Sequence, residues 1–159
     1  MFIRVVTPSL WAPLLSDDPS ADAVEAIVRQ WMLDMPLSLY RCDTEQDIEL
    51  TAVAMSTRRN ADRKFDYLRV TTSDLGPLLD AFPPAANDET PVAVVNSRHH
   101  EGTITEVQTR DLVLRCASRA RSERRERISD SIKGKDLRRI AKILNDTLAL
   151  GLPHCWLLE

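Results

Sequence analysis

The sequence predicts an α/β (or α+β) fold, a single mixed sheet of about four strands covered by helices and followed by a helical, basic C-terminal region. Two observations carry this. Short β-rich runs alternate with segments of helical periodicity as far as residue 107, and the last forty-odd residues read as helix with a high density of arginine. One domain over 1–159 is expected, with 1–107 holding the strand and helix alternation and 108–151 the helical, Arg-rich portion.

Phe2 to Val6 is apolar and β-branched and reads as the first strand. A loop with Pro8, Trp11 and Pro13 follows, and Asp18-Pro19-Ser20 opens a helix with a capping side chain and a proline suited to a first turn. Val24, Ile27, Val28 and Trp31 then fall at i, i+3, i+4 and i+7, one buried stripe. Leu37 to Arg41 is the second strand, and the spacing of Asp43 and Gln46 predicts a capping box for a helix carrying Ile48, Ala52 and Met55. Phe65 to Thr71 is the third strand, Ser73 caps a short helix, and Val92 to Val95 is the fourth strand. From Thr103 both a capping box with Glu106 and a strand fit the pattern. Val113, Cys116, Ala117 and Ala120 suit a helix, and a second helical piece runs from Arg121 to Ile132 and breaks at Gly134. The clearest element is the last helix, with its stripe of Leu137, Ile140, Ala141, Leu144 and Leu148 and its stop at Gly151 and Pro153.

Charge is distributed unevenly. Between Arg115 and Lys142 eleven basic residues face four acidic ones, a net of +7 in a chain whose total is −3, so the remainder carries −10. Such a dipolar molecule attracts acidic proteins, phosphates or the acidic end of another copy. The basic surface is expected from Arg121, Arg124, Arg125, Arg138, Arg139 and Lys142. Trp11 and Trp156 are candidate interface anchors, although burial in their own domain is the stronger expectation for each.

Several function classes are disfavoured. Gly76, Gly102, Gly134 and Gly151 stand far apart, so no glycine-rich phosphate loop exists, and Lys133-Gly134-Lys135 lacks the rest of a nucleotide-binding sequence. Cys42, Cys116 and Cys155 are odd in number and widely spaced, which argues for reduced core residues and against a disulfide framework or zinc ribbon. No apolar run approaches ~18 residues, so no membrane span is expected. The opening residues lack the pattern of a secretory signal or a presequence, and the expected location is the cytoplasm. Neither metal nor cofactor is expected. Acidic Asp43, Glu45, Asp47 and Glu49 sit where a helix start favours them.

The expected function is therefore non-catalytic, a protein that binds a partner or itself through charge complementarity. Nucleic-acid binding through the Arg-rich helices comes second, weakened by the negative net charge and by the absence of stacking aromatics in that region. A small enzyme comes third, with His99 or His100 as general base beside Glu101, and Arg98 stabilising an anion.

Overall fold

The computed structural model describes residues 1–58 and 64–152. Five strands, β1 (Phe2–Val5), β2 (Leu37–Arg41), β3 (Lys64–Val70), β4 (His99–Gly102) and β5 (Ser129–Lys133), form one sheet in the order β4-β2-β1-β3-β5. Every neighbouring pair is antiparallel, so the expected α/β layering is present while the sheet is not mixed in direction. The helices among the described residues are α1 (Pro8–Trp11), α2 (Ala21–Leu33), α3 (Glu45–Arg58), α4 (Thr72–Leu75), α5 (Ala93–Asn96), α6 (Glu106–Ser122) and α7 (Gly134–Leu148).

Side-chain alternation along the strands gives the sheet two apolar faces. Phe2, Leu37, Leu39, Leu68 and Val70 meet α2 through Val24, Ile27, Val28 and Trp31, and α6 through Leu112, Val113, Cys116 and Ala117. On the other face Ile3, Tyr40, Phe65 and Tyr67 meet Ile48, Val53 and Met55 of α3 and Leu137, Ile140, Ala141 and Leu144 of α7. The sheet is thus the middle of three layers, and α6 and α7 lie on opposite sides of it.

Several segments depart from expectation. Val92 to Val95 is not a strand: Ala93–Asn96 is a single helical turn, because buried Asn96 closes it by accepting from the Thr90 hydroxyl (2.7 Å) and donating to the Thr90 carbonyl (2.8 Å). The edge strand is formed instead by His99–Gly102, whose polar sequence gives no strand signal. Arg121 to Ile132 is not a continuous helix. α6 ends at Ser122, Arg124 adopts the left-handed conformation (φ 52°), and the Arg125 amide bonds back to the Ala120 carbonyl at 3.0 Å, turning the chain into β5. Gly134 is accordingly the first residue of α7 rather than a break between helices. The segment carrying Trp11, expected as a loop, is a helical turn continued by a 3-10 turn at Ala12–Leu15.

Helix starts follow capping chemistry at slightly different positions from those expected. Ser20 caps α2, which leaves Pro19 ahead of the helix rather than in its first turn; Thr71 with Asp74 caps α4, and Thr105 with Gln108 caps α6. At α3 the reciprocal pair is Thr44 and Asp47: the Asp47 amide donates to Thr44 Oγ1 (3.1 Å) and the Thr44 amide to Asp47 Oδ2 (2.9 Å). Burial pushes the Asp47 carboxyl up, but bonds from Arg98, from the Thr44 and Asp43 amides and from the Thr44 hydroxyl outweigh it and hold the group below its ordinary value. A carboxyl lowered in the folded state stabilises above its unfolded value and loses that contribution as pH falls through the folded one. Asp47→Ala should therefore cost about 1 kcal/mol at neutral pH. In urea titrations the difference from wild type should shrink as pH drops below the ordinary value of 3.8.

Candidate interaction surface

The two histidines expected as candidate bases both contact the turn and loop beside β4. His99 is 1 % exposed and tilts against the Tyr40 ring at 5.0 Å. Its Nδ1 donates to the Ala85 carbonyl at 2.7 Å, which fastens the 83–87 loop to β4, while Nε2 sits 3.6 Å from a Glu101 carboxylate oxygen. His100 donates from Nδ1 to the Phe82 carbonyl at 2.9 Å and meets Phe2 edge to face at 5.1 Å. It does line a cleft of about 490 Å³ with Arg41, Asp43, Thr72 and Asp80, so one ring edge faces a concave surface. Arg98, the proposed anion stabiliser, is bonded to the Asp47 carboxylate.

Cys42 and Cys116 are buried free thiols. Burial pushes the Cys42 thiol up to about 11 and raises Cys116 further, as befits small core residues. Among the described residues no three His, Cys, Asp or Glu side chains gather as metal ligands. His154, Cys155 and Trp156 lie outside the described residues. Trp11 is 2 % exposed and packs on Trp31 with ring centroids 5.5 Å apart, so it belongs to the core.

The six basic residues expected on one surface are divided by the sheet. Those of α6 and its exit turn hold the protein together: Arg121 donates to the Leu14 carbonyl at 2.7 Å, and Arg125 pairs with Asp130 of β5. Earlier on α6, Arg115 donates to the carbonyls of Asp74 and Leu75, and Arg119 grips the Asp74 carboxylate at 2.9 Å. Asp130 also receives Arg69 at 2.8 Å, which reaches Glu45 at 2.6 Å. Arg124 is exposed at the turn.

The outer face of α7 carries the remaining cations. Lys135, Arg138, Arg139 and Lys142 are all exposed and recur at i, i+3, i+4 and i+7, so they share one side of the helix. Asp136 stands 3.9 Å from Arg139. Exposed Ile143 (56 %) follows one turn beyond Arg139, placing apolar surface beside the cations. Lys133, exposed at the end of β5, leads straight into this stripe.

Two further clefts contain residues that the sequence did not single out. One, of about 410 Å³, opens where β1 and β2 cease to pair past Ile3, and it is lined by Arg4, Gln30, Asp34 and Ser38. There the guanidinium of Arg4 lies 5.1 Å from the Trp31 ring and donates to Asp34 (2.9 Å) and to the Ser38 carbonyl (3.2 Å). Burial pushes Arg4 down from its ordinary value against the pull of Asp34. The other, of about 360 Å³, lies between β5 and the α1 turn, where Pro8, Trp11, Leu15 and Ile128 meet Ser129 and Ser131. No spacing in the sequence could have signalled either cleft, since each joins segments far apart in the chain.

The layered antiparallel fold and this surface define a small helix-covered sheet protein with a cationic stripe on one outer helix. Comparison with protein-family models, curated proteins and solved structures finds no match. No helix among the described residues is long and apolar enough to cross a membrane.

Proposed function

We propose that this protein is a non-catalytic interaction module that binds an acidic partner protein through the basic surface running from Lys133 along the outer face of α7. The observation that carries this reading is the stripe of exposed Lys135, Arg138, Arg139 and Lys142 beside exposed Ile143. Charge supplies rate and selectivity, and adjacent apolar area supplies affinity. Arg115, Arg119 and Arg121 of α6, and Arg125 just past it, bond the protein's own carbonyls and carboxylates. Dividing the basic residues between two layers also weakens the nucleic-acid reading, because it shortens the run of cations that one phosphate backbone could follow.

The test is fluorescence anisotropy with a labelled peptide of alternating glutamate and valine, beside a short duplex DNA, at several salt concentrations. Replacing Lys135, Arg139 and Lys142 together by glutamate should weaken peptide binding by about tenfold or more, equivalent to at least 1.4 kcal/mol. The Lys135→Glu change falls in the first turn of α7, where the helix dipole favours acid, so the fold should tolerate it. Unchanged peptide affinity in the triple variant would overturn the proposal. Tight DNA binding with a salt slope of several units would favour the phosphate reading instead.

A further inference from the structure

Strand β5 is one end of the sheet, and its outer edge is open among the described residues. The direction of its backbone groups follows from register. Val6 donates to the Asp66 carbonyl at 3.1 Å, so Asp66 turns its backbone toward β1, and its neighbours Phe65 and Tyr67 turn toward β5. Their partners Ile132 and Asp130 therefore bond inward, which leaves the amide and carbonyl of Ser131 and Lys133 pointing away from the sheet. The opposite edge is closed: the Ala85 amide donates to the His99 carbonyl at 2.8 Å and the Glu101 amide to the Pro83 carbonyl at 3.3 Å. The two edges of one sheet are thus treated differently.

Beside the open edge lies the 360 Å³ cleft lined by Pro8, Trp11, Leu15 and Ile128. Ser129 and Ser131 of β5, the one buried and the other half-buried, line it with their short side chains. A strand added to β5 would point alternate side chains to this same face of the sheet, one of them into the cleft. The surroundings are basic, with exposed Lys64, Arg127 and Lys133 against Glu126 and the half-buried Asp66, which pairs with Lys64 at 2.8 Å. That rim decides the occupant. A second copy paired through β5 would bring two sets of these cations together, which is unfavourable for facing strands. An extended segment bearing carboxylates suits the rim.

We infer that an extended acidic segment of a partner protein adds to the outer edge of β5 as a sixth strand, with one apolar side chain seated in the cleft over Trp11 and Leu15. This deepens the proposed interaction function and rests on it, naming the partner's conformation and the edge that receives it. Backbone pairing would supply affinity, the cleft would select an apolar residue, and the cations would select its acidic neighbours.

The experiment uses the same glutamate-valine peptide and two relatives of it, N-methylated at alternate residues in one register or the other. Only one edge of a bound strand meets β5, so one methylated peptide should bind roughly tenfold or more weakly and the other near the parent affinity. Ser131→Pro removes an outward amide without breaking the β3 ladder, a placement that edge strands accept, and it should weaken the parent peptide similarly. The methylated peptides leave the protein unaltered, so a folding defect in the proline variant does not obscure the outcome. If both methylated peptides bind within about twofold of the parent, the strand-addition inference is overturned. Should the α7 charge reversal still weaken binding in that case, the interaction function survives with a different mode of contact. Dimerisation of the protein that is lost in Ser131→Pro would instead identify a second copy as the occupant and overturn the inference as well.

Discussion

Asp74→Ala should lower the unfolding free energy by about 4 kcal/mol, the scale expected when one member of a buried ion pair is removed. Asp74 is 4 % exposed and organises several segments at once. Its carboxylate accepts from Arg119 Nε at 2.9 and 3.1 Å and from the Thr71 amide at 2.8 Å, so it both starts α4 and anchors α6. Burial pushes the Arg119 guanidinium down, and the charges and hydrogen bonds of Asp74 and Glu123 more than reverse this. Removal of Asp74 leaves that cation in a site only 18 % exposed, facing the Arg69 carbonyl at 2.6 Å and the more exposed Glu123 at 3.3 Å. Asp74→Asn keeps an acceptor for Thr71 while discarding the charge, and should cost roughly 2 kcal/mol. Urea unfolding of both variants, followed by tryptophan fluorescence and by far-ultraviolet circular dichroism, checks the ranking. A loss below about 1 kcal/mol for Asp74→Ala would mean that Glu123 takes over Arg119 completely.

This arginine network also explains why the charge pattern was misleading as a guide to surface. A dense basic run suggests a solvated patch, yet arginine combines a long apolar stem with a planar head of several donors. On α6, Arg115 and Arg119 lie one turn apart; Arg115 uses that head to satisfy the Asp74 and Leu75 carbonyls at the end of α4, and Arg119 spans the Asp74 carboxylate and the Arg69 carbonyl of β3. Residue type was readable there, but direction depends on what packs opposite, and periodicity does not report it. On α7 the stripe of Leu137, Ile140, Ala141 and Leu144 fixes the inner face, and the cations fall outside as expected.

The same distinction separates the strands that were readable from those that were not. β1, β2 and β3 carry Phe2-Ile3, Leu37 to Tyr40 and Phe65 to Leu68, each dense in apolar residues because the three inner strands are covered by helices on both faces. β4 and β5 are edges. His-His-Glu-Gly and Ser-Asp-Ser-Ile-Lys owe their conformation to pairing with β2 and β3, a long-range constraint with little imprint on local composition. The open edge of the further inference belongs to the less readable strand, so the candidate site was only half visible: its cations in the sequence, its backbone only in the fold.

Gly102→Ala should destabilise the protein by about 3 kcal/mol, the upper part of the range for forced overpacking. Gly102 of β4 pairs with Leu37 of β2, and a methyl group on it would sit 2.4 Å from the Ala81 carbonyl oxygen and 2.5 Å from Phe82 Cδ1. Backbone cannot rotate out of the way as a long side chain would. The obstructing turn is itself held, since the Phe82 carbonyl receives His100 and the following loop bonds to His99 and Glu101 along the outer edge of β4. Relief of the clash therefore requires either the loop or the strand to leave its partner. Hydrogen exchange should quicken at the β4 amides and at the β2 amides that face β4, and stay close to wild type at β5. Because β5 is the opposite edge of the sheet, the folded fraction of Gly102→Ala should bind the acidic peptide with wild-type affinity. Equal loss of protection at both edges would show instead that the sheet opens as one unit, and the separation between the closed edge and the binding edge would then be static geometry without independent stability.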